Sequence, residues 1–380
     1  MGYAYRRRRS GPHWGLVVSL LVLAGIGAYF APRFLAPRAG PPRSPDAEAA
    51  AASPTADPAV ARLAEGDSHL AAGRWMAAAA AYAEAARGNP QPAAAQAGWA
   101  RALLYGNKPA EALEHAQKAV DLDPRAAESH AVLALAHDWT GSPDRALTAA
   151  RRAVELDPGL PEAYAYLAEA YTDKYRLREA DEALERAVAA GGDDPEVLRV
   201  QGYLQETRTD YASAVASYRR AIERAPQRSY LHLSLGHALR VQKQYEEAIA
   251  AFQRAAVLNP QDPRGEGGLG MVYHALEEYG AAQSHLERAV EIDPGYATGY
   301  GQLGWVFYVQ KLYDEARPNF ERAVELEKDP TRNAAYRHAL GWIYFNMKHY
   351  DKARQEFTKA LELSPGLEGA QEGLRMLERR

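Results

Sequence analysis

The chain has 380 residues, with 45 Lys plus Arg against 49 Asp plus Glu and a formal net charge of −4. A balance without basic excess argues against a nucleic-acid coat, and the lack of cysteine excludes disulfides, thiolate catalysis, cysteine-ligated zinc and iron–sulfur clusters. Length alone suggests two or three domains, a count that the internal organisation overrides.

A basic tail, residues 1–13, contains the run Arg6, Arg7, Arg8 and Arg9. From Ser10 to Pro32 there is no Lys, Arg, Asp or Glu, and Trp14 to Ala31 is almost wholly apolar. As a helix this segment would span about 27 Å, close to the roughly 30 Å hydrocarbon core of a bilayer. Trp14 and Tyr29 suit the interfacial aromatic belts. A cleaved signal peptide is the competing reading. Because Tyr29 and Phe30 prolong the apolar run, an uncleaved single-pass transmembrane helix is expected at 14–31. Arg33, Arg38 and Arg43 follow closely, so the positive-inside rule favours an inside N-terminus by a narrow margin. The bulk of the chain is then expected on the extracytoplasmic side, with a cytoplasmic-facing orientation as the alternative.

Residues 32–58 hold seven prolines among 27 residues, mixed with Ala, Ser and Gly. Such a segment cannot bury a core and reads as a disordered tether between membrane and body.

From Ala59 the chain is periodic. EALEHAQKAVDLDP at 111–124 returns in variant form at 144–158, 246–260 and 281–294, and Pro124, Pro158, Pro226, Pro260 and Pro294 keep a 34-residue spacing with one position skipped at Gly192. Nine repeats start at Ala59, Ala93, Ala127, Pro161, Pro195, Ser229, Pro263, Ala297 and Ala334. The eighth position is always small, from Gly66 to Gly341, and the twentieth and twenty-seventh are always Ala. Large residues stand between them, such as Leu133 and Leu303 at the seventh position and Tyr82, Tyr218, Phe252, Phe320 and Phe357 at the twenty-fourth. Spacings of three and four in each half predict two amphipathic helices per repeat. Pro at the thirty-second position ends the second of them.

At these residues the array resembles the tetratricopeptide repeat family, whose unit is a 34-residue helix–turn–helix. The resemblance covers 59–367 and implies an all-α, right-handed solenoid of nine repeats. Residues 368–380 read as a capping helix, with Leu374 and Leu377 facing the last repeat. The first repeat departs from the pattern with Arg62 and Glu65 at usually apolar positions, as a solvated first helix would. Pro109 and Pro143 stand where later repeats carry Tyr211, Tyr245, Tyr279, Tyr313 and Tyr350, and are tolerated there as first-turn residues.

Motifs for catalysis and cofactors do not survive this frame. Gly265-Glu266-Gly267-Gly268-Leu269-Gly270 satisfies a dinucleotide pattern, but lies within a predicted helix with no preceding strand. His130 and His137 are seven apart on one helix with no third metal ligand, and read as packing residues. No stretch outside the array is large enough for a catalytic domain, so neither enzyme activity nor a cofactor or metal is expected.

Helix phase places the second, fifth, ninth and twelfth positions of each first helix on a stripe away from the core; in the family this stripe lines the concave groove. Repeats three to five put Glu128, Asp138, Glu162, Glu169, Asp173, Glu196 and Glu206 there, with Arg199 as the main opposing charge. Repeats six to nine put Tyr230, His237, His274, Trp305, Tyr308, His338, Trp342 and Phe345 there, with Arg240 and Arg264. The acidic part is expected to attract a basic protein segment and the aromatic part to anchor it. The alternatives are an ordinary solvated face for the acids and packing between first helices for the aromatics. Relatives that clamp acidic chaperone C-termini use Lys at the fifth and Asn at the ninth position. Here those pairs include Ala165/Glu169, Gly301/Trp305 and His338/Trp342, so that clamp is not expected. The reading that results is a non-enzymatic, membrane-anchored scaffold binding one or more protein or peptide partners, and no nucleic acid. An accessory subunit of an envelope biogenesis or secretion enzyme complex, or a glycan binder, are the alternatives.

Overall fold

The structure, a computed structural model, describes residues 58–88 and 92–379. The expected membrane helix at 14–31 and the tether lie outside the described residues, apart from Pro58, the first residue of the first helix. Among the described residues no helix is long and apolar enough to cross a membrane.

The described residues are helical throughout, without a strand. Helices pair as α1 (Pro58–Ala71) with α2 (Trp75–Arg87), α3 (Pro92–Tyr105) with α4 (Pro109–Leu122), and α5 (Ala127–Trp139) with α6 (Pro143–Leu156). The middle pairs are α7 (Pro161–Asp173) with α8 (Leu177–Gly191), α9 (Pro195–Thr207) with α10 (Tyr211–Arg224), and α11 (Ser229–Val241) with α12 (Tyr245–Leu258). The last are α13 (Pro263–Ala275) with α14 (Tyr279–Ile292), α15 (Ala297–Val309) with α16 (Tyr313–Leu326), and α17 (Pro330–Asn346) with α18 (Tyr350–Leu363). Helix α19 (Glu368–Glu378) follows, with Leu377 buried and Glu372, Arg375 and Arg379 exposed. Each helix packs on its partner and on the next pair, the arrangement of an α-solenoid.

Size complementarity joins the two helices of a repeat. In five of the six repeats with Gly at the eighth position, at Gly66, Gly202, Gly236, Gly304 and Gly341, the twenty-fourth is Tyr or Phe lying directly over it; in the sixth, at Gly270, it is Leu286. A methyl group at Gly236 would fall 2.8 Å from the ring of Phe252, and one at Gly202 2.6 Å from that of Tyr218. Where the eighth position is Ala, the twenty-fourth shrinks to Ala116, Ala150 or Leu184. The dinucleotide-like glycines follow the same logic: Gly268 and Gly270 sit inside α13 with no room for a Cβ against Phe252 and Leu286.

Every repeat turns between its helices through one left-handed residue at position fifteen. Only Gly73 and Gly141 are glycines there, the others running from Asn107 and Tyr175 to Lys348, with φ between 54° and 74°. The N–H of the next residue donates back to the carbonyl five residues earlier at 2.8 to 3.0 Å, satisfying the end of the first helix. A side chain in this conformation costs roughly 1 kcal/mol. The loops between repeats are set by acidic residues: Asp123, Asp157 and Asp293 each accept from a backbone N–H two residues on. The first helix of repeat nine begins at Pro330, four residues before the Ala334 phase point, because Asp329 caps it by accepting from the Arg332 N–H at 2.8 Å.

Candidate binding groove

Curvature brings distant repeats together. The ring of Tyr105, at the end of α3, stacks on Tyr230, at the start of α11, with centroids 5.0 Å apart. Trp139 meets the edge of the same Tyr230 ring at 5.7 Å. The Arg228 guanidinium lies 5.0 Å from the centre of the Tyr105 ring, a cation–π contact. Asn107 donates to Asp262 at 3.2 Å, tying the turn of repeat two to the loop between repeats six and seven.

These contacts fill the inner face of repeats two to six with the chain's own side chains, which corrects the reading of an open acidic patch. Glu196 is 0% exposed. Arg199 and Arg228 each donate to it at 2.8 Å, and the Tyr230 hydroxyl donates to it as well. Burial alone would push its carboxyl up, but the two guanidiniums outweigh burial and hold it below the ordinary range. Arg199 also grips Glu169 with two bonds of 2.7 and 2.6 Å. Asp173 accepts from the Tyr203 hydroxyl at 2.5 Å and Glu206 from that of Tyr218 at 2.9 Å. Glu162 is 4.0 Å from Arg101. Burial, then the Glu169 and Asp173 charges, push the Asp138 carboxyl well up, and burial raises Glu206 to about 7. Of the seven predicted acids, Glu128 is the one on an exposed surface. Apart from Glu128, the stripe is therefore drawn into an internal network, in which Glu162, Glu169, Asp173, Glu196 and Glu206 meet cations or hydroxyls while a buried oxygen of Asp138 has no hydrogen-bond partner among the described residues. Arg101 completes the network from the ninth position of repeat two, a stripe position, whereas Tyr105 and Arg228 stand at positions thirteen and thirty-four, off the stripe that helix phase predicts.

The aromatic half divides differently. Tyr230 belongs to the closed part just described. His237 packs edge-on against Phe252 at 5.1 Å, and burial, helped by the nearby Arg240 and Arg264 charges, pushes it down to about 4, so it is neutral at pH 7. Arg264 folds onto Asp262 at 2.7 Å. His274 is half-buried, 6.0 Å from the Tyr279 ring. Trp305 lies edge-on to Phe320 at 5.2 Å and to Tyr308 at 5.5 Å. One repeat on, Trp342 stands 5.3 Å from Phe357 and 5.5 Å from Phe345. The Trp342 indole N–H donates to His338 Nε2 at 2.8 Å, which fixes both. Phe345 is buried, while Trp305, Tyr308, His338 and Trp342 keep part of their surface in solvent. Packing claims part of each ring and leaves the rest in solvent on α15 and α17.

Among the described residues no group of three or more His, Asp and Glu is placed to hold a metal ion. The His130 ring lies 3.0 Å from the carbonyl of Pro124, and His137 is buried.

Sequence patterns described as Tetratricopeptide repeat match residues 63–98, 98–161 and 200–263, residues 140–202, and residues 264–329 and 295–365. The chain belongs to the tetratricopeptide repeat family. A comparison with curated proteins finds no match. Among solved structures, it is similar to a chain of the APC/C hetero-tetramer Cut9–Hcn1, with 16% identity and a TM-score of 0.63 over 78% of this chain. This chain spans 58% of the length of that one. It is also similar to the human IFIT1 dimer with PPP-AAAA, at 18% identity and a TM-score of 0.54, covering 72% of this chain and 73% of that one. A monomeric mutant of IFIT1 with m7Gppp-AAAA matches at 16% identity and a TM-score of 0.57, covering 79% and 80%. At these identities the likeness is one of fold. A tetratricopeptide solenoid of this kind suggests a scaffold for protein–protein interaction.

Proposed function

We infer that the protein is a non-enzymatic, membrane-anchored scaffold that holds a segment of a partner protein on the inner face of repeats eight and nine. The observation that carries this reading is the contrast along the groove. Repeats two to six fill it with their own paired charges and stacked tyrosines, whereas Trp305, Tyr308 and Trp342 keep part of their rings in solvent on consecutive first helices. Half-exposed Trp and Tyr on a rigid helical face supply large contact area with few torsions to freeze, as binding anchors do. With most of its carboxylates meeting the chain's own cations and hydroxyls, the acidic stripe contributes little long-range attraction, so the partner engages by desolvation of apolar groups. The apolar segment at 14–31 supports the anchoring, with the repeats held on the extracytoplasmic side.

The test is a crosslinked pull-down from membranes with the intact chain and with Tyr308→Ala, whose ring is half-buried and meets the rings of Trp305 and Tyr313. A partner recovered by the intact chain and lost with the helical variant supports the groove. Recovery of the same partner at the same yield would move the binding surface elsewhere. Deletion of 1–31 should release the folded repeats from the membrane fraction; retention there would refute the anchor.

A further inference from the structure

The inner stripe of repeats eight and nine carries no charge. None of its positions, from Thr298 to Phe345, holds a Lys, Arg, Asp or Glu, and α15 has no charged residue on any side. The cations of α17 lie off the stripe and are paired, Arg332 with Glu327 at 2.9 Å and Arg337 with Glu356 at 2.8 Å. His338 accepts the Trp342 indole N–H through Nε2 at 2.8 Å, as only the neutral ring can. A charged segment therefore finds no counter-charge on this stripe and would lose its hydration without return.

What the stripe offers is rings and donors. Positions nine and twelve meet at a steep angle in both repeats: Trp305 and Tyr308 at 84°, Trp342 and Phe345 at 71°, each pair 5.5 Å apart. Phe345 is buried, so the second corner presents mainly Trp342. The Trp305 Nε1–H and the Tyr308 hydroxyl have no hydrogen-bond partner among the described residues, and neither atom is enclosed. The nitrogen acceptor, His338 Nε2, is already taken by Trp342, and no carboxylate is present. The matching ligand has carbonyls to accept with, few N–H groups to satisfy, no charge and flat apolar rings. Proline supplies a backbone carbonyl without an N–H. Its polyproline II strand leaves the carbonyls unbonded, whereas a helix uses its own. Three residues of that strand rise about 9 Å and complete one turn, against a step on the order of 10 Å between helices packed side by side.

We propose that the segment held on this face is an uncharged, proline-rich strand in the polyproline II conformation. One proline packs in the corner of Trp305 and Tyr308, and another, three residues along, lies against Trp342. Carbonyls of the strand accept from the Trp305 Nε1–H and the Tyr308 hydroxyl. Trp342, its own N–H spent on His338, contributes surface alone. The assignment rests on the proposed groove of repeats eight and nine and adds the chemistry of its occupant. A glycan would also stack on these rings, but sugar hydroxyls need acceptors as well as donors, and the stripe supplies no carboxylate.

The experiment follows the indole N–H resonances of the full chain, labelled with nitrogen-15 at tryptophan, during titration with N-acetyl-Ala-Pro-Pro-Ala-Pro-Pro-Ala-amide. The signals of Trp305 and Trp342 are those lost in Trp305→Phe and Trp342→Phe. Both are expected to shift and to saturate together, Trp305 by more because its proton enters a new bond. A peptide with alanine for every proline should need a roughly tenfold higher concentration, because its strand is not preformed. Tyr308→Phe keeps the ring and removes a hydroxyl with no partner in the fold; it should weaken the proline peptide roughly fivefold, the worth of one neutral hydrogen bond. Resonances of Trp305 and Trp342 that the proline peptide leaves unmoved overturn the assignment, and the groove itself then stands only if the pull-down partner still depends on Tyr308. Equal response to the two peptides overturns the polyproline chemistry. Saturation by chitohexaose and not by the proline peptide also overturns it and gives the face to glycans.

Discussion

Tyr105 and Tyr230 stack face to face although one closes the first helix of repeat two and the other opens the first helix of repeat six. In a straight solenoid each repeat touches only its neighbours. Here a long-range pair, with Glu196 between Arg199 and Arg228 beneath it, adds a tie across the curve.

Removing the charge from that tie should be costly. Glu196→Gln keeps the shape but leaves the half-buried Arg228 without a carboxylate and Arg199 with Glu169 alone, and breaking a buried pair costs about 3–5 kcal/mol. The matched change Glu155→Gln, at an exposed pair with Arg152, should stay within about 1 kcal/mol. Urea unfolding followed by circular dichroism compares the two; equal midpoints would show that the network is not formed in solution.

Gly73 and Gly141 occupy equivalent left-handed turn positions, with φ of 71° and 74°. A Cβ at Gly141 meets nothing within 4 Å, whereas one at Gly73 falls 2.9 Å from the Gln227 carbonyl oxygen. Both Gly→Ala changes carry the same backbone cost of roughly 1 kcal/mol. Gly73→Ala should therefore be the more destabilising, and the excess measures the approach of repeat one to the loop before repeat six. Identical melting shifts would mean that this approach does not occur.

The pairing of the eighth and twenty-fourth positions invites a double-mutant cycle. Gly236→Ala pushes a methyl group into Phe252 and should cost about 1–3 kcal/mol. Phe252→Leu alone opens a void. Combined, they reproduce the Ala168/Leu184 pair of repeat four, so the double variant should be more stable than the two single costs added together. Strict additivity would argue against direct contact.

Glu206 gives the fold a pH dependence. Burial raises its carboxyl to about 7, the Tyr218 hydroxyl opposing in part, against roughly 4.3 in an unfolded chain. The folded state holds the proton more tightly, so stability from this group is present at about pH 4, falls as pH rises, and levels off above about 7. Asp138 acts in the same direction. Glu196, held below its usual range, acts oppositely: its contribution is present above the unfolded carboxylate range and lost as pH falls through the lower folded value. Glu206→Gln should raise the urea midpoint at pH 8 relative to the unaltered chain and not at pH 4. A midpoint difference that is the same at both pH values would count against the shift.

The repeat unit was legible in the chain because each repeat solves its packing locally. Position eight, position twenty and the ring at twenty-four lie within a few turns of one another, so small and large residues recur with the period. Ala78, Ala112 and Ala248 are accordingly buried. The fate of the groove was not legible, because curvature accumulates from small rotations between repeats and no single repeat encodes where the array meets itself. Glu162 and Glu169 looked like part of one free surface because their partners Arg101 and Arg199 come from other repeats, and Glu196 because Arg228 lies in the loop that follows its repeat's second helix. A trace of the closure was nonetheless present in Trp75, the one Trp among the seventeenth positions, at the turn that faces the loop after repeat six.

The tie also sets how the molecule bears load. A chain held at its N-terminal segment and pulled from the C-terminal end transmits tension along the array, and among the described residues α19 and repeats nine, eight and seven show no such cross-link between distant repeats. They would peel away in small successive steps. Repeats two to six, fastened by Tyr105, Glu196 and Tyr230, would instead resist as one block and yield in a single larger extension.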